Sequence, residues 1–145
     1  MNAQLKRGSE KKQKGRLIAY WIITALVAWE LGFGATWDFN LVNQGYVHNI
    51  FARLGYPDYL GYILGTGKAL AFIAVLVPGF GRLKEWAYAG TFFNFAGALF
   101  SHLLARDQPV SVIAPIIFGS LTMASWWLRP ASRKLASSST SQGMA

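Results

Sequence analysis

Four apolar runs, each long enough to cross a bilayer as a helix, constrain this chain more than anything else in it. They cover Leu17–Trp37, Tyr59–Val77, Leu83–Leu104 and Val110–Leu128. At 1.5 Å per residue, a helix needs about 20 residues to traverse a hydrocarbon core of about 30 Å. None of the runs shows the ten-residue alternation of a membrane barrel strand. Only 14% of the 145 residues are charged, against ~25% in ordinary soluble domains. The sequence therefore reads as all-α: an integral-membrane four-helix bundle over residues 17–130. A basic tail, 1–16, precedes it and is expected to stay disordered until it meets a membrane. A low-complexity tail, 131–145, follows and is expected to be disordered.

The net charge of +8 would suggest nucleic acid in a soluble protein, but its distribution argues for lipid instead. Lys6, Arg7, Lys11, Lys12, Lys14 and Arg16 precede the first run, Arg82 and Lys84 separate the second from the third, and Arg129, Arg133 and Lys134 follow the fourth. The two opposite loops hold Arg53 and Arg106. This asymmetry places both termini in the cytoplasm of a multi-pass protein of the inner (plasma) membrane, with the basic tail against anionic lipid. Trp21, Trp86, Trp126 and Trp127 near one boundary and Trp37 near the other form an aromatic belt, which Trp29 does not join. The first run is too long for a signal-peptide h-region and no small-x-small cleavage site follows, so it reads as an uncleaved anchor. In the first outer loop, Val47, Ile50, Phe51 and Leu54 keep helical spacing until Gly55 and Pro57, which predicts a short interfacial helix.

Lys68 is the one charge in the second run, and Glu30 the one carboxylate in the first. A cation at mid-membrane costs about 2.5–3.5 kcal/mol on insertion scales, so it normally has a partner or a task. Counted from the outer ends of their runs, the two lie about 14 Å and about 10 Å deep, which makes an ion pair natural. Gly61, Gly65 and Lys68 share one helix face, so Lys68 should point into the bundle where the glycines admit a neighbouring helix. In the third run Ala87, Gly90, Asn94, Gly97 and Ser101 share a face, with His102 one position round. In the fourth, Ser111, Pro115, Gly119 and Thr122 form a stripe in which Pro115 is expected to kink the helix. Glu30, Lys68, Asn94, Ser101 and His102 are thus the candidates for a ligand pocket or proton path in the outer half; no catalytic role is assigned. The opposing interpretation is that the pair only fixes register and that the amide and hydroxyl are interhelical glue, worth about 0.6 kcal/mol per bond. The cytoplasmic half offers no comparable set, since Glu85 sits near Arg82 and Lys84 where a surface pairing suffices.

Other chemistries are not supported. Leu64-Gly-Thr-Gly-Lys68-Ala resembles a phosphate loop, but Tyr62 and Ala69 occupy positions that motif gives to Gly and Ser/Thr. There is no cysteine, which removes thiolate and cysteine-ligated cluster chemistry from this chain. His48 and His102 are the only histidines, one of them in a loop, so neither a bis-histidine haem nor a zinc site is expected and no metal is assigned.

Leu54-Gly-Tyr-Pro-Asp-Tyr-Leu60, Gly67-Lys68-Ala-Leu70, Leu83-Lys-Glu-Trp-Ala-Tyr-Ala-Gly90, Gly97-Ala-Leu-Phe-Ser-His102 and Leu128-Arg-Pro130 follow one another in an order that resembles the DoxX-like family of small bacterial membrane proteins. The likeness runs from Leu17 to Pro130. It implies a four-helix membrane bundle and, from the family's name-giving members, a subunit linked to thiosulfate:quinone oxidoreductase in the respiratory chain. The functional expectation is a quinone-linked redox or respiratory-chain-associated subunit. It would bind no covalent cofactor, with quinone as the candidate ligand and a redox partner subunit or a second copy as candidate partners. Whether the chain is itself an enzyme stays open. The alternatives are a non-enzymatic permease or binding protein for a small molecule, and an assembly or scaffold subunit.

Overall fold

The apolar runs become long helices because their backbone polar groups have no better partner than one another. The structure, a computed structural model, describes residues 2–134. Helix α1 covers Asn2–Asp38, α2 Tyr46–Leu54, α3 Tyr59–Leu76, α4 Gly81–Leu104 and α5 Ile113–Leu128. Short 3-10 turns occupy Pro109–Val112 and Ala131–Arg133. No strand occurs among the described residues. The four long helices pack in a ring in which α1 adjoins α3 and α5, and α4 closes the other side against the same two. Residues 39–58 and 105–108 gather at one end, here the loop end. The turn 77–80 and residues 129–134 gather at the other, the basic end.

Three segments are long and apolar enough to cross a membrane: Lys6–Asp38, Tyr59–Leu76 and Pro109–Leu128. Helix α4 has the length but carries Arg82, Lys84, Glu85, Asn94 and His102. Aliphatic and aromatic side chains cover the outside of the ring on every long helix, among them Ile22, Leu70, Phe93 and Ile116.

Several local expectations differ from what forms. The basic segment continues α1 from Asn2, because Lys, Gln and Arg are good helix formers and prolong a helix already nucleated by the apolar run. The tail expected to be disordered begins with an ordered turn at Ala131–Arg133, and from residue 135 on it lies outside the described residues. Pro115 does not kink a helix interior. The chain turns as a 3-10 helix before it, and Pro115 falls in the first turn of α5, where its missing N–H would have had no intrahelical partner.

The close approach of α3 to α1 rests on two glycines. A Cβ on Gly61 would lie 2.7 Å from the Asp38 carbonyl oxygen, and one on Gly65 would lie 3.1 Å from the Asp38 Cβ. Any larger residue would force apart the contact that carries Lys68 into the ring.

Candidate functional site

Helix α1 brings two carboxylates to Lys68. The ammonium stands 3.0 Å from Asp38 Oδ2 and 3.6 Å from Glu30 Oε1, with all three side chains largely buried. Glu30 and Asp38 are eight residues apart, within one helical stripe. Gly34 lies between them, and a Cβ there would meet Glu30 Oε1 at 2.8 Å and Lys68 Nζ at 3.0 Å. The loss of that one methyl group lets the cation seat itself across the helix. Asp38 was not among the sequence candidates because it follows the last apolar residue of its run and reads as loop. The signal that could have found it is its spacing from Glu30.

Two carboxylates facing one ammonium leave a formal charge of −1. The balance is incomplete in hydrogen bonding too, since Glu30 Oε2 is buried without a partner. A cavity of ≈ 520 Å³ opens beside the cluster, lined by Glu30, Asp38, Lys68, Asn94 and His102, with Arg53 and Ser111 as further polar groups among mostly apolar neighbours. Ser101 is not on that wall. It lines an adjacent cavity of ≈ 310 Å³ with Asn94 and His102, donates to the Gly97 carbonyl at 2.7 Å and meets the Tyr56 hydroxyl at 2.8 Å. His102 bonds through Nδ1 to Asp107 Oδ2 at 2.9 Å, and Arg53 approaches the same carboxylate at 3.5 Å. The Gln108 amide, which donates to Asp107 Oδ1 at 2.8 Å, and the His102 ring hold the Asp107 carboxyl below the usual carboxylate range. The five candidates therefore do not converge on one point: Glu30 and Lys68 meet, Asn94 and His102 share their cavity, and Ser101 belongs to the next one.

A third cavity, ≈ 390 Å³, lies between α3 and α4. Ile63, Leu70, Leu83 and Trp86 line it and are exposed on the outside of the ring, while Lys68, Thr91 and Asn94 supply its polar groups. Thr91 is 3% exposed and its hydroxyl has no partner. Sequence reasoning passed over it because a threonine inside a helix usually bonds back to its own backbone, as Thr122 does to the Phe118 carbonyl at 2.7 Å.

The expectation that the basic half holds no comparable polar set is wrong. Lys84 is fully buried and donates to the carbonyls of Ala74 at 2.7 Å and Val75 at 3.2 Å, and to that of Val77. Arg133 donates to Val75 at 2.8 Å and Leu76 at 3.0 Å. These are the carbonyls that α3 leaves open at its C-terminus, where a cation also meets the negative end of the helix dipole. Glu85 pairs not with its neighbours in sequence but with Arg129, at 2.6 Å, and with the Trp126 indole, at 2.7 Å. Behind them Ser125 Oγ joins Thr24 Oγ1 and the Tyr88 hydroxyl, each at 2.7 Å and buried. Partners from other helices are what a sequence does not display, and every one of these bonds except those of Lys84 spans more than 35 residues of chain.

Compared with known proteins, residues 22–125 match the model of the DoxX-like family. No curated protein and no solved structure matches the chain.

Proposed function

The chain belongs to the DoxX-like family, and from its geometry we propose that it binds a lipid-soluble, quinone-class molecule in the cleft between α3 and α4, as a subunit of a membrane redox assembly. The observation that carries this is Thr91, whose buried hydroxyl has no partner, among the residues that line an otherwise apolar cleft with Lys68 and Asn94. A quinone is a ring with carbonyl acceptors on an apolar tail. The ammonium, the amide and the hydroxyl are donors suited to such carbonyls, and the exposed Leu70, Leu83 and Trp86 suit a tail arriving from lipid. When bound, a quinone accepts or releases electrons together with protons. This chain's own residues bind and orient the ring, and the Glu30–Asp38–Lys68 cluster, with its surplus carboxylate, holds or yields a proton next to it. The electrons would come from a partner subunit.

The membrane placement belongs to the same reading. Helix α4 joins the other three long helices as a span because its outward face is apolar and its Lys84, Thr91 and Asn94 are turned toward the other helices. The basic end faces the cytoplasm, and α2 lies on the opposite interface over the cavity that its Val47, Ile50 and Phe51 help to line. A cysteine placed at Ser9 should be labelled only from the cytoplasmic side.

Binding of a short-chain quinone to the purified protein, titrated by quenching of tryptophan fluorescence, tests the site. Thr91→Val and Asn94→Leu should each weaken binding about three- to tenfold, the share of one hydrogen bond. Thr122→Val is the control, since it removes an equally buried hydroxyl away from the cleft. Equal weakening in all three variants would remove the case for this cleft.

A further inference from the structure

At the basic end, a site of opposite character lies among α1, α4 and α5. Two cavities, ≈ 500 and ≈ 550 Å³, share Arg16, Arg129 and Lys134 on their walls. Trp126 and Trp127 flank the first, and the Trp127 ring is largely exposed, as a side chain at a membrane–water boundary would be. Arg129 is the central group. It is 2% exposed, and its guanidinium lies over the Tyr88 ring at 4.9 Å. Nε donates to the Trp126 carbonyl at 3.1 Å and Nη2 to Glu85 Oε1 at 2.6 Å, but Nη1 is buried with no partner.

Arg129 lines both cavities, and a buried guanidinium N–H is costly unless something accepts from it. The Glu85 carboxylate accepts from Arg129 Nη2 and the Trp126 indole but not from Nη1. Arg16 docks the basic part of α1 here by donating from Nη2 to the Trp127 carbonyl at 3.0 Å, which leaves the rest of its guanidinium on the cavity wall. Arg133 lines the second cavity too, so with Glu85 the five charged groups sum to +3, and the acceptor that suits them is an anion. Its oxygens must be compact and strongly accepting, and its surroundings are indoles at the end of a ring of apolar helices. We infer that this is a phosphate-binding site, and that its occupant is the phosphate of an anionic glycerophospholipid whose acyl chains run along the outside of α1 and α5. The inference does not depend on the quinone reading, because no residue of one site lines the other.

The test is lipid retention by the detergent-extracted full chain in native mass spectrometry, with phosphatidylglycerol or phosphatidylcholine of identical acyl chains added in turn. Phosphatidylglycerol should be held more tightly and with one molecule per chain. Arg16→Gln and Lys134→Gln, both at exposed positions, should each weaken its retention about fivefold, the usual share of one cation at an anionic surface. Lys11→Gln, on the exposed part of α1 away from the cavities, should leave it unchanged. Displacement by millimolar inorganic phosphate would support the phosphate site and assign it to the free anion, whereas persistence in phosphate supports the lipid. Equal retention of phosphatidylcholine, or a loss in Lys11→Gln as large as in Arg16→Gln, would overturn the proposal by reducing the preference to general attraction.

Discussion

The two ends of the ring bury charge in opposite ways. At the basic end Lys84 and Arg133 are met by the carbonyls that α3 cannot bond to itself, and the hydroxyls of Thr24, Tyr88 and Ser125 are met by one another. At the loop end Lys68 faces two carboxylates, and buried polar atoms of Glu30, Trp37 and His48 have no partner. Cations at a helix C-terminus complete the helix and are part of holding it together. An acidic surplus beside a cavity completes nothing within the chain, and the proposed site rests on that contrast. The basic end has its own exception in Arg129 Nη1, buried without a partner.

The strongest test of this contrast is Lys84→Met. It strands acceptors at the end of α3 at about 1–3 kcal/mol each, so the melting temperature should fall more than for any other single change named here. Quinone affinity of the protein that remains folded should hold. A loss of affinity without a loss of stability would reverse the assignment of scaffold and site.

Next in size is Lys68→Met, which leaves two carboxylates facing each other and should cost about 3–5 kcal/mol, as breaking a buried pair does. Because Asp38 is the nearer partner, Lys68→Met with Asp38→Asn should recover more stability than Lys68→Met with Glu30→Gln. If both double variants equal the sums of their singles, the three groups are not coupled.

Gly61→Ala should destabilise by about 1–3 kcal/mol, because its methyl group would meet the Asp38 carbonyl at 2.7 Å. Gly97→Ala meets nothing within 4 Å, and alanine is favoured in a helix by about 1 kcal/mol, so thermal stability should rise. A rise in both would mean that α3 does not press on α1 at Gly61.

The smallest effect is confined to the loop end. The Asp107 carboxyl is held below its ordinary value by the Gln108 amide first and the His102 ring second. A depressed carboxyl contributes stability that is complete above the unfolded value of about 3.9 and is lost as pH falls through the lower folded value. Hydrogen exchange at residues 102–108 should therefore quicken only below about pH 4, and Asp107→Asn should abolish that step. Exchange in the turn 77–80 should not follow it.

Much of the fold was legible because burying a backbone in hydrocarbon leaves few choices. The expected runs at 59–77 and 83–104 became Tyr59–Leu76 and Gly81–Leu104, and the spacing of Val47, Ile50, Phe51 and Leu54 became α2, ended by Gly55 at φ +80°. Lys68 and Glu30 were legible as partners because nothing else charged lay within their runs. Asp38 was not, since a carboxylate at the end of a run looks the same whether the helix stops before it or carries it inward. Lys84 and the partner of Glu85 are not legible for a related reason: a charge near a boundary reads as surface until the helix ends packed against it are known.

By itself the sequence determined where helices form, which of their residues are costly to bury and which end is basic. Those properties follow from local hydrophobicity, helical period and the placement of Lys and Arg. Only the tertiary structure decided which carboxylate lies nearest Lys68, that α3 ends on Lys84 and Arg133, and that Thr91 and Arg129 Nη1 are left without partners. A hydrogen bond between helices depends on their rotation and depth relative to one another, and those are set by contacts such as Gly61 against Asp38 that no local stretch of the chain specifies.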